Sequence, residues 1–362
     1  MFLSRGDVMA INDIEELTKV LKTQIMNSSS VFVVGHNNID LDAIGASIGL
    51  ARMAKEYNKD VYIIVDDLRY NIQSGIISVM DSVKDDYTFI KKKDVDNLVN
   101  DKSLLLVTDV NKKKMFSVGK MVDRFGGVVV IDHHTESEDS VDTPYKFIDL
   151  EVSSASEVVA RVLNYSRIKY DENIANALYA GMSLDTQRFQ YNTSSMTHDT
   201  AEKLINNGAD KERVRELLLE EFDDRCRVWN LIINGTLIYK YSDTLGVSFT
   251  LNRNEPKQIY QVADCAKVAN EMFDVRTIDA AFTLGYVSDK EVHISARGNG
   301  RVDVSKVMLQ LGGGGNETCA GAKVESDDIF AVEKELMNSV KYGVDQSIEL
   351  YEKPKLLRKK QV

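Results

Sequence analysis

The chain has 362 residues, of which 43% are hydrophobic, 28% are charged and only 3 are proline, so it is long enough for two ordered domains. Its net charge of -11 excludes a surface that would coat long nucleic acid, although bound cations would reverse the charge inside a small phosphate site. No apolar run reaches about 18 residues, so no membrane span is predicted. Three cysteines without paired spacing, Cys226, Cys265 and Cys319, predict reduced thiols and a cytoplasmic protein.

The first predicted strand ends in a group of metal-binding residue types. After a predicted lead-in helix at residues 11–26, the apolar run at residues 31–34 is typical of a buried strand. His36, Asp40 and Asp42 follow it, at the end of the strand where open α/β sheets bind their ligands. One imidazole and two carboxylates favour a metal site. The alternative is a polar loop before a helix whose N-terminus Asp42 stabilises.

Three further apolar segments end in the same kinds of side chain. A helix at residues 43–57 and a strand at 61–65 complete a βαβ unit, and residues 68–103 are polar and loosely amphipathic. Strands are then predicted at residues 104 and 128, and the segment 177–184 is apolar enough to be buried. The donors at the ends of these segments are Asp109, Asp132, His133, His134 and Asp185. The clusters favour a two-metal site over scattered structural polar groups.

The remaining predicted elements form a second domain after a connecting helix. The basic turn Lys112-Lys113-Lys114 is either solvated or attracts phosphate. Later helices are predicted at 153–165, 172–184, 196–208, 211–234, 258–273 and 302–311, and strands at 237–239, 246–250, 280–287 and 291–296. We expect an α/β protein with a lead-in helix at 1–30, a parallel-sheet domain with helices on both faces at 31–210, a connecting helix at 211–234, a smaller α/β domain at 235–344 and a basic tail at 345–362.

Four consecutive glycines follow the last predicted helix. Each glycine adds conformational entropy to the unfolded chain and so costs stability. The run from Gly312 to Gly315 is therefore expected to serve a function. Close approach of backbone amides to a nucleotide is one such function, and a flexible loop without a ligand is the alternative. Arg297, with its planar guanidinium, suits a phosphate that metal ions do not hold, and Arg301 is a weaker candidate.

The order and spacing of these motifs resemble those of a known family. Four motifs are similar to those of the DHH phosphoesterase superfamily: His36-x-x-x-Asp40-x-Asp42, Thr108-Asp109, Asp132-His133-His134 and Ser183-Leu184-Asp185-Thr186. Two more are similar to its DHH-associated substrate-binding domain: Ile294-Ser295-Ala296-Arg297 and the four glycines. Three segments resemble the cyclic-di-AMP phosphodiesterase branch: Ser153-Ser154-Ala155-Ser156-Glu157, Ala180-Gly181-Met182-Ser183-Leu184-Asp185-Thr186 and Val262-Ala263-Asp264. The resemblance extends over residues 31–344.

The resemblance implies two divalent cations in the first domain. One would be held by His36, Asp40 and Asp109, and the other by Asp42, Asp109, His133 and Asp185, with Asp109 as the bridge. Mixed imidazole and carboxylate ligands suit Mn²⁺, with Mg²⁺, Co²⁺ or Fe²⁺ as substitutes. A hydroxide bridging the two ions would attack phosphorus.

Two further residues of the first domain have implied catalytic roles. His134 would stabilise or protonate the leaving oxygen, or would only make a supporting hydrogen bond beside the metal ligands. Asp132 would orient an imidazole. In the second domain, the implied substrate-binding residues are Arg297, Gly312, Gly313, Gly314, Gly315 and Asn316. The family usually has His at the last of these positions, and Asn316 can form hydrogen bonds but cannot carry a positive charge.

The expected function is hydrolysis of cyclic-di-AMP to linear pApA by a homodimer. One alternative is an oligoribonuclease or pAp phosphatase that acts on short linear nucleotides, and another is a nucleotide-binding regulator that has lost activity. Inorganic pyrophosphatase is a more distant alternative, because its substrate-binding motifs are less similar to those of this chain. Members of the resembling branch often carry membrane and sensory segments ahead of this unit, so the chain is expected to be a stand-alone form or a fragment.

Overall fold

A computed structural model describes residues 9–66, 74–242, 244–344 and 355–356. The chain separates into two compact units, Met1–Leu219 and Glu220–Val362. Most of the predicted basic tail lies outside the described residues. None of the helices in the described ranges is both long and apolar enough to cross a bilayer.

A parallel sheet of seven strands forms the centre of the first unit. Its strands are β1 (Met9–Ala10), β2 (Ser30–Val34), β3 (Asp60–Ile64), β4 (Thr88–Ile90), β5 (Leu104–Thr108), β6 (Gly127–Asp132) and β7 (Tyr145–Ile148). They lie side by side in the order β1-β7-β6-β5-β2-β3-β4. Because β6, β5 and β2 are adjacent and parallel, their carboxyl ends meet at one edge of the sheet. This is the edge at which the sequence predicts the metal ligands.

Helices cover this sheet on both faces, as predicted. They are α1 (Ile14–Asn27), α2 (Leu41–Glu56), α3 (Ser74–Val83), α4 (Lys92–Leu98), α5 (Ala155–Tyr165), α6 (Glu172–Asp185), α7 (Ser195–Asn206) and α8 (Lys211–Leu217), with 3₁₀ turns at Lys113–Met115 and Gly119–Arg124. On β2, Val31 and Val33 enter a core shared with α1, α2, α5 and α6. The alternate residues Phe32 and Val34 enter a second core, which contains Val95 of α4. This alternation follows from the two-residue period of a strand.

Three strands of this sheet, β1, β4 and β7, were not predicted, and β1 is only two residues long. Strand β4 is only three residues long, and none of its residues is fully buried. Strand β7 alternates buried and half-buried residues over four positions, which gives no continuous apolar run. Both lie toward the ends of the sheet order, where burial on both faces is less complete.

The predicted connecting helix at residues 211–234 was wrong as a single helix. The structure has two helices there, α8 and α9 (Phe222–Gly235). Val214 and Leu217 of α8 pack in the core of the first unit. Val228 and Leu231 of α9 pack in a core of the second unit. Helical periodicity continues across the segment, but each half buries its apolar side in a different core.

The second unit contains a mixed sheet, also of seven strands, in agreement with the predicted second α/β domain. Its strands are β8 (Thr236–Ser242), β9 (Leu245–Thr250), β10 (Ala280–Ser288), β11 (Glu291–Gly298), β12 (Gly314–Gly315), β13 (Cys319–Glu325) and β14 (Lys355–Leu356). The order is β12-β13-β11-β10-β9-β8-β14, and β9 and β10 are parallel while the other pairs are antiparallel. The helices of this unit are α9, α10 (Val262–Phe273), α11 (Val304–Leu309) and α12 (Ile329–Ser339).

Candidate functional site

The six predicted metal ligands lie together at the carboxyl edge of the first sheet. Strand ends supply His36, Asp109 and His133, and helix ends supply Asp40, Asp42 and Asp185. Their side chains form two groups, in each of which the candidate ligand atoms lie within 4.8 Å of one another. One group is His36, Asp40 and Asp109, and the other is Asp42, His133 and Asp185.

Asp109 connects the two groups. Its Oδ2 lies 3.3 Å from Nε2 of His36, and its Oδ1 lies 3.2 Å from Nε2 of His133. The residue has a φ of 58°, a left-handed conformation that Asp adopts more readily than most non-glycine residues. Its amide donates a hydrogen bond to the carbonyl of Ile131 at the end of β6, at 2.9 Å. The turn after β5 therefore aims one carboxylate oxygen at each group.

Backbone amides at helix N-termini hold two further acids of the site, Asp40 and Asp42. Asp40 caps α2, because its Oδ1 accepts from the amides of Asp42 and Ala43 at 3.0 and 2.9 Å. Its Oδ2 lies 3.4 Å from Nε2 of His36. Asp42 accepts at both oxygens from the first turn of α5: Ala155 donates to Oδ2 at 2.8 Å and Ser156 donates to Oδ1 at 2.7 Å. Both acids are held before any ion binds.

His133 is the centre of the second group. Its Nε2 lies 3.3 Å from Oδ2 of Asp185 and 4.0 Å from Oδ2 of Asp42. This nitrogen and Oδ1 of Asp109 are both buried, and although they lie 3.2 Å apart neither atom has a hydrogen-bond partner. Buried polar atoms without partners are costly, and two donor groups that share a carboxylate fit two divalent ions. The geometry therefore suits the metal pair that the resemblance implies.

Asp132 lies behind the predicted ligands and contacts His134. Its Oδ1 lies 2.8 Å from Nδ1 of His134 and accepts from the amide of His133 at 2.8 Å. Its Oδ2 accepts from Nδ2 of Asn111 at 2.7 Å. The side chain of Asp132 is fully buried, whereas that of His134 is 57% exposed. Asp132 thus orients the exposed imidazole and leaves Nε2 of His134 free to face a ligand.

Asn111 is a site residue that the sequence analysis missed. It is buried, and besides Asp132 it donates to the carbonyl of His134 at 3.0 Å. Its position two residues after Asp109 was the available signal, because a polar residue just past a buried strand points to the same edge of the sheet.

The predicted substrate-binding residues of the second unit lie around β11 and β13. Nε of Arg297 donates to Oδ1 of Asn270 on α10 at 2.6 Å, and Arg297 pairs in register with the exposed Cys319. Asn316 does not extend toward solvent as a free side chain. Its Oδ1 accepts from the amides of Thr318 and Cys319 at 3.0 and 2.7 Å, which closes the turn between β12 and β13. Asn270 was missed because nothing in its helical context distinguishes it.

The four glycines have different structural roles. Gly312 and Gly315 have φ values of 75° and 144°, which favour glycine. A Cβ at Gly313 would lie 2.2 Å from the carbonyl oxygen of Gly321, so the backbone there approaches β13 closely. A Cβ at Gly314 would meet no atom within 4 Å. The fold therefore explains three of the glycines and leaves Gly314 without a structural reason.

Comparison with known proteins identifies the first unit. A family model described as the DHH family, N-terminal domain, matches residues 30–182. These residues form a DHH-family domain. Five of the six predicted ligands lie within the matched range, and Asp185 follows it by three residues.

Two curated relatives match most of the chain. The chain is 30% identical over 340 residues to "Cyclic-di-AMP phosphodiesterase GdpP" of Bacillus subtilis. The match covers 92% of this chain and 50% of that protein. It is 25% identical over 332 residues to "Bifunctional oligoribonuclease and PAP phosphatase NrnA" of Mycoplasma genitalium, covering 88% of this chain and 93% of that protein. The chain thus spans half the length of the first relative.

A solved structure shares the fold over both units. It is the crystal structure of an exopolyphosphatase-related protein from Bacteroides fragilis, with a TM-score of 0.70 and 22% sequence identity. The match covers 90% of this chain and 96% of that one. The fold of this chain is therefore found in an experimental structure.

The donor groups of the DHH domain strongly perturb one another. Burial and the charge of Asp109 raise the pKa of Asp42 to about 7. Burial and neighbouring carboxylates raise the pKa of Asp185 well above its usual value. Burial lowers the pKa of His36 and His133, but the adjacent carboxylates outweigh it and raise these pKa values to about 10 and about 9. Near neutral pH, the carboxylates around the site therefore favour the protonated form of both imidazoles.

Metal binding to the DHH domain should release protons. An imidazole nitrogen must lose its proton to bind an ion, so at pH 8 we expect about two protons to leave His36 and His133. Affinity should then rise with pH between 7 and 9, because fewer protons compete with the ions. Titration calorimetry with MnCl₂ in buffers of different ionisation enthalpy measures the release directly. An enthalpy that does not depend on the buffer would contradict the prediction.

Substitution of Gly314 should separate ligand binding from folding. The Cβ added by Gly314→Ala would contact no atom, so the melting temperature should stay within a degree or two of wild type. The Cβ added by Gly313→Ala would clash with the backbone of β13 and should lower the melting temperature. If Gly314 allows a nucleotide to approach the backbone, Gly314→Ala should still weaken nucleotide binding. Thermal unfolding and binding of cyclic-di-AMP are measured on both variants. Unchanged binding by Gly314→Ala would mean that no ligand approaches there.

Proposed function

We propose that this chain is a metal-dependent phosphodiesterase that hydrolyses cyclic-di-AMP to linear pApA. The observation that carries the proposal is the pair of donor groups that share Asp109, since two ions held by one carboxylate are suited to phosphoryl chemistry. The 30% identity to a cyclic-di-AMP phosphodiesterase supports the choice of substrate. The proposed resident ions are Mn²⁺, because imidazole and carboxylate ligands are mixed.

The side chains around the donor groups suit an anionic ester. A cavity of about 310 Å³ opens over the site and is lined by His36, Asp109, Lys112 and His134, among other residues. When bound, the ions would supply an activated water and neutralise charge on the phosphate. The proposed role of His134 is to give a proton to the leaving sugar oxygen, and its hydrogen bond with Asp132 supports this role by orienting the imidazole. Lys112 of the basic turn lies on the cavity wall, which supports its proposed role in attracting phosphate.

The second unit is proposed to bind the part of the substrate that the ions do not hold. Nε and Nη1 of Arg297 donate within the protein, to Asn270 and to the carbonyl of Ala296, which leaves Nη2 and the positive charge for a phosphate. The exposed Gly314 leaves the backbone open to a nucleotide. Asn316 uses its side-chain oxygen within its own turn, so it does not replace the positive charge of the usual His. We therefore expect weaker capture of a second phosphate than a histidine at this position would give.

The main alternative is activity on short linear nucleotides. It is favoured by the relative that is named an oligoribonuclease and PAP phosphatase and is matched over 93% of its length. The same Mn²⁺ centre would serve either reaction, so the donor groups do not distinguish them.

Product analysis decides between the two substrates. Purified full chain with MnCl₂ is incubated with cyclic-di-AMP, pApA or pAp, and nucleotides are separated by chromatography over time. Conversion of cyclic-di-AMP that stops at pApA is the expected result. Faster conversion of pApA to AMP would move the activity to linear nucleotides, and intact cyclic-di-AMP that nevertheless binds would make the chain a regulator. Light scattering on the same sample tests the proposed homodimer.

A further inference from the structure

We propose that Glu157 is a positioning residue for the candidate metal centre, acting through Asp42. Glu157 is 1% exposed, lies on the first turn of α5 and does not line the cavity over the site. A buried carboxylate is costly unless its oxygens are well partnered, so its contacts show what its presence achieves.

One oxygen of Glu157 ties two separate segments together. Oε2 accepts from Oγ of Ser153 at 2.6 Å, from the amide of Ser153 at 3.2 Å and from Oγ1 of Thr197 at 2.9 Å. Ser153 directly precedes the N-cap residue of α5, Ser154, and Thr197 lies in the first turn of α7. Oε1 lies 3.6 Å from the guanidinium of Arg161. The carboxylate thus holds the entry to α5 against α7.

The first turn of α5, which Glu157 holds in this way, also binds the carboxylate of Asp42. The amides of Ala155 and Ser156, which follow Ser154, donate to the two carboxylate oxygens of Asp42. The hydroxyl of Ser156 also donates to the backbone carbonyl of Asp42 at 3.2 Å. A change in the direction of this first turn would therefore move or release Asp42. Because Asp42 is fully buried, water cannot replace the lost amides.

The hydrogen bonds from α5 to the carboxylate of Asp42 act on one of the two donor groups. Asp42 belongs to the group with His133 and Asp185, whereas Asp40 is held by the amides of α2 itself. Removal of a hydrogen-bond partner behind a metal ligand typically weakens metal binding about 10- to 100-fold. We expect this loss for one ion and little change for the other. The inference rests on the proposed metal centre.

The test compares Glu157→Ala with two other variants by titration of the full chain with MnCl₂. Glu157→Ala removes all three hydrogen bonds, and one of the two ions should bind about 10- to 100-fold more weakly. Glu157→Gln keeps an acceptor oxygen for Ser153 and Thr197, so it should restore most of the affinity. Leu163→Ala, a buried truncation later in α5, controls for general destabilisation and should leave both affinities unchanged.

The outcomes separate this inference from the proposed function. If the wild type binds two ions and Glu157→Ala binds both with wild-type affinity, the positioning role is overturned while the metal centre stands. Equal weakening of both ions, or the same loss in Leu163→Ala, would also overturn it. If the wild type binds no Mn²⁺, the metal centre fails and the inference fails with it. Should Glu157→Ala not fold, Ser153→Ala removes the 2.6 Å bond alone and should show a smaller loss at the same ion.

Discussion

Asp109→Asn should reduce phosphodiester hydrolysis by more than about 100-fold, which is the upper end of the loss caused by changes behind a metal ligand. Asp109 is the only one of the six proposed ligands whose two oxygens face both donor groups. The amide of Asn has one oxygen and no charge, so it cannot serve both groups. Asn also adopts the left-handed φ of 58° at this position, so the backbone should be undisturbed.

The measurement is the initial rate with saturating Mn²⁺ on whichever nucleotide the wild type converts, together with the number of bound ions. Asp199→Asn, an exposed acid on α7, is the matched control and should retain full activity. Near wild-type activity of Asp109→Asn would refute a shared carboxylate between two ions. A loss of activity with both ions still bound would assign Asp109 a role in substrate contact instead.

Gly181→Ala should destabilise the protein and release Asp42. In a helix, Ala is normally favoured over Gly by about 1 kcal/mol. Here, however, a Cβ on Gly181 of α6 would lie 2.3 Å from Oγ of Ser156 and 2.9 Å from both Cα and Oδ1 of Asp42. Overpacking of a buried junction costs about 1–3 kcal/mol, so the net effect should be a lower free energy of unfolding.

Urea unfolding and MnCl₂ titration are measured on the same preparation. Gly49→Ala is the matched control, because its Cβ would contact only side chains, Val159 at 2.6 Å and Leu178 at 3.2 Å, away from the donor groups. It should destabilise the fold but keep both ions. Gly181→Ala with wild-type metal affinity would show that Asp42 tolerates the displacement, and the proposed link between packing and the site would then be wrong.

The sequence was sufficient to predict that the six proposed ligands meet at the edge of the first sheet, although it did not single out Asn111. Donors that directly follow apolar strands need only the rule that parallel strands end at a common edge, and His36, Asp109 and His133 lie as that rule predicts. The support of Asp42 could not be predicted in this way. Its amide partners in α5 are more than a hundred residues away in sequence, and an amide is present at every residue except proline.

The second unit was less predictable for a related reason. The glycine run was evident, but only the strand register shows that Gly313 and Gly315 are required by β13 whereas Gly314 is not. The role of the oxygen of Asn316 in its own turn was also hidden, because an Asn after glycines is equally compatible with a ligand contact. The break between α8 and α9 depends on two separate cores, which a helical period does not report.

The exposed thiol of Cys319 is a natural site for covalent labelling. Its neighbour in register on β11 is Arg297, so a fluorescent maleimide on this thiol would report from the proposed nucleotide surface. Cys265 is buried, and burial raises the pKa of its thiol to about 12, which protects it from such reagents. Replacement of the half-buried Cys226 by Ser would leave one accessible thiol among the three cysteines of the chain. Nucleotide arrival at the second unit can then be followed independently of bond cleavage.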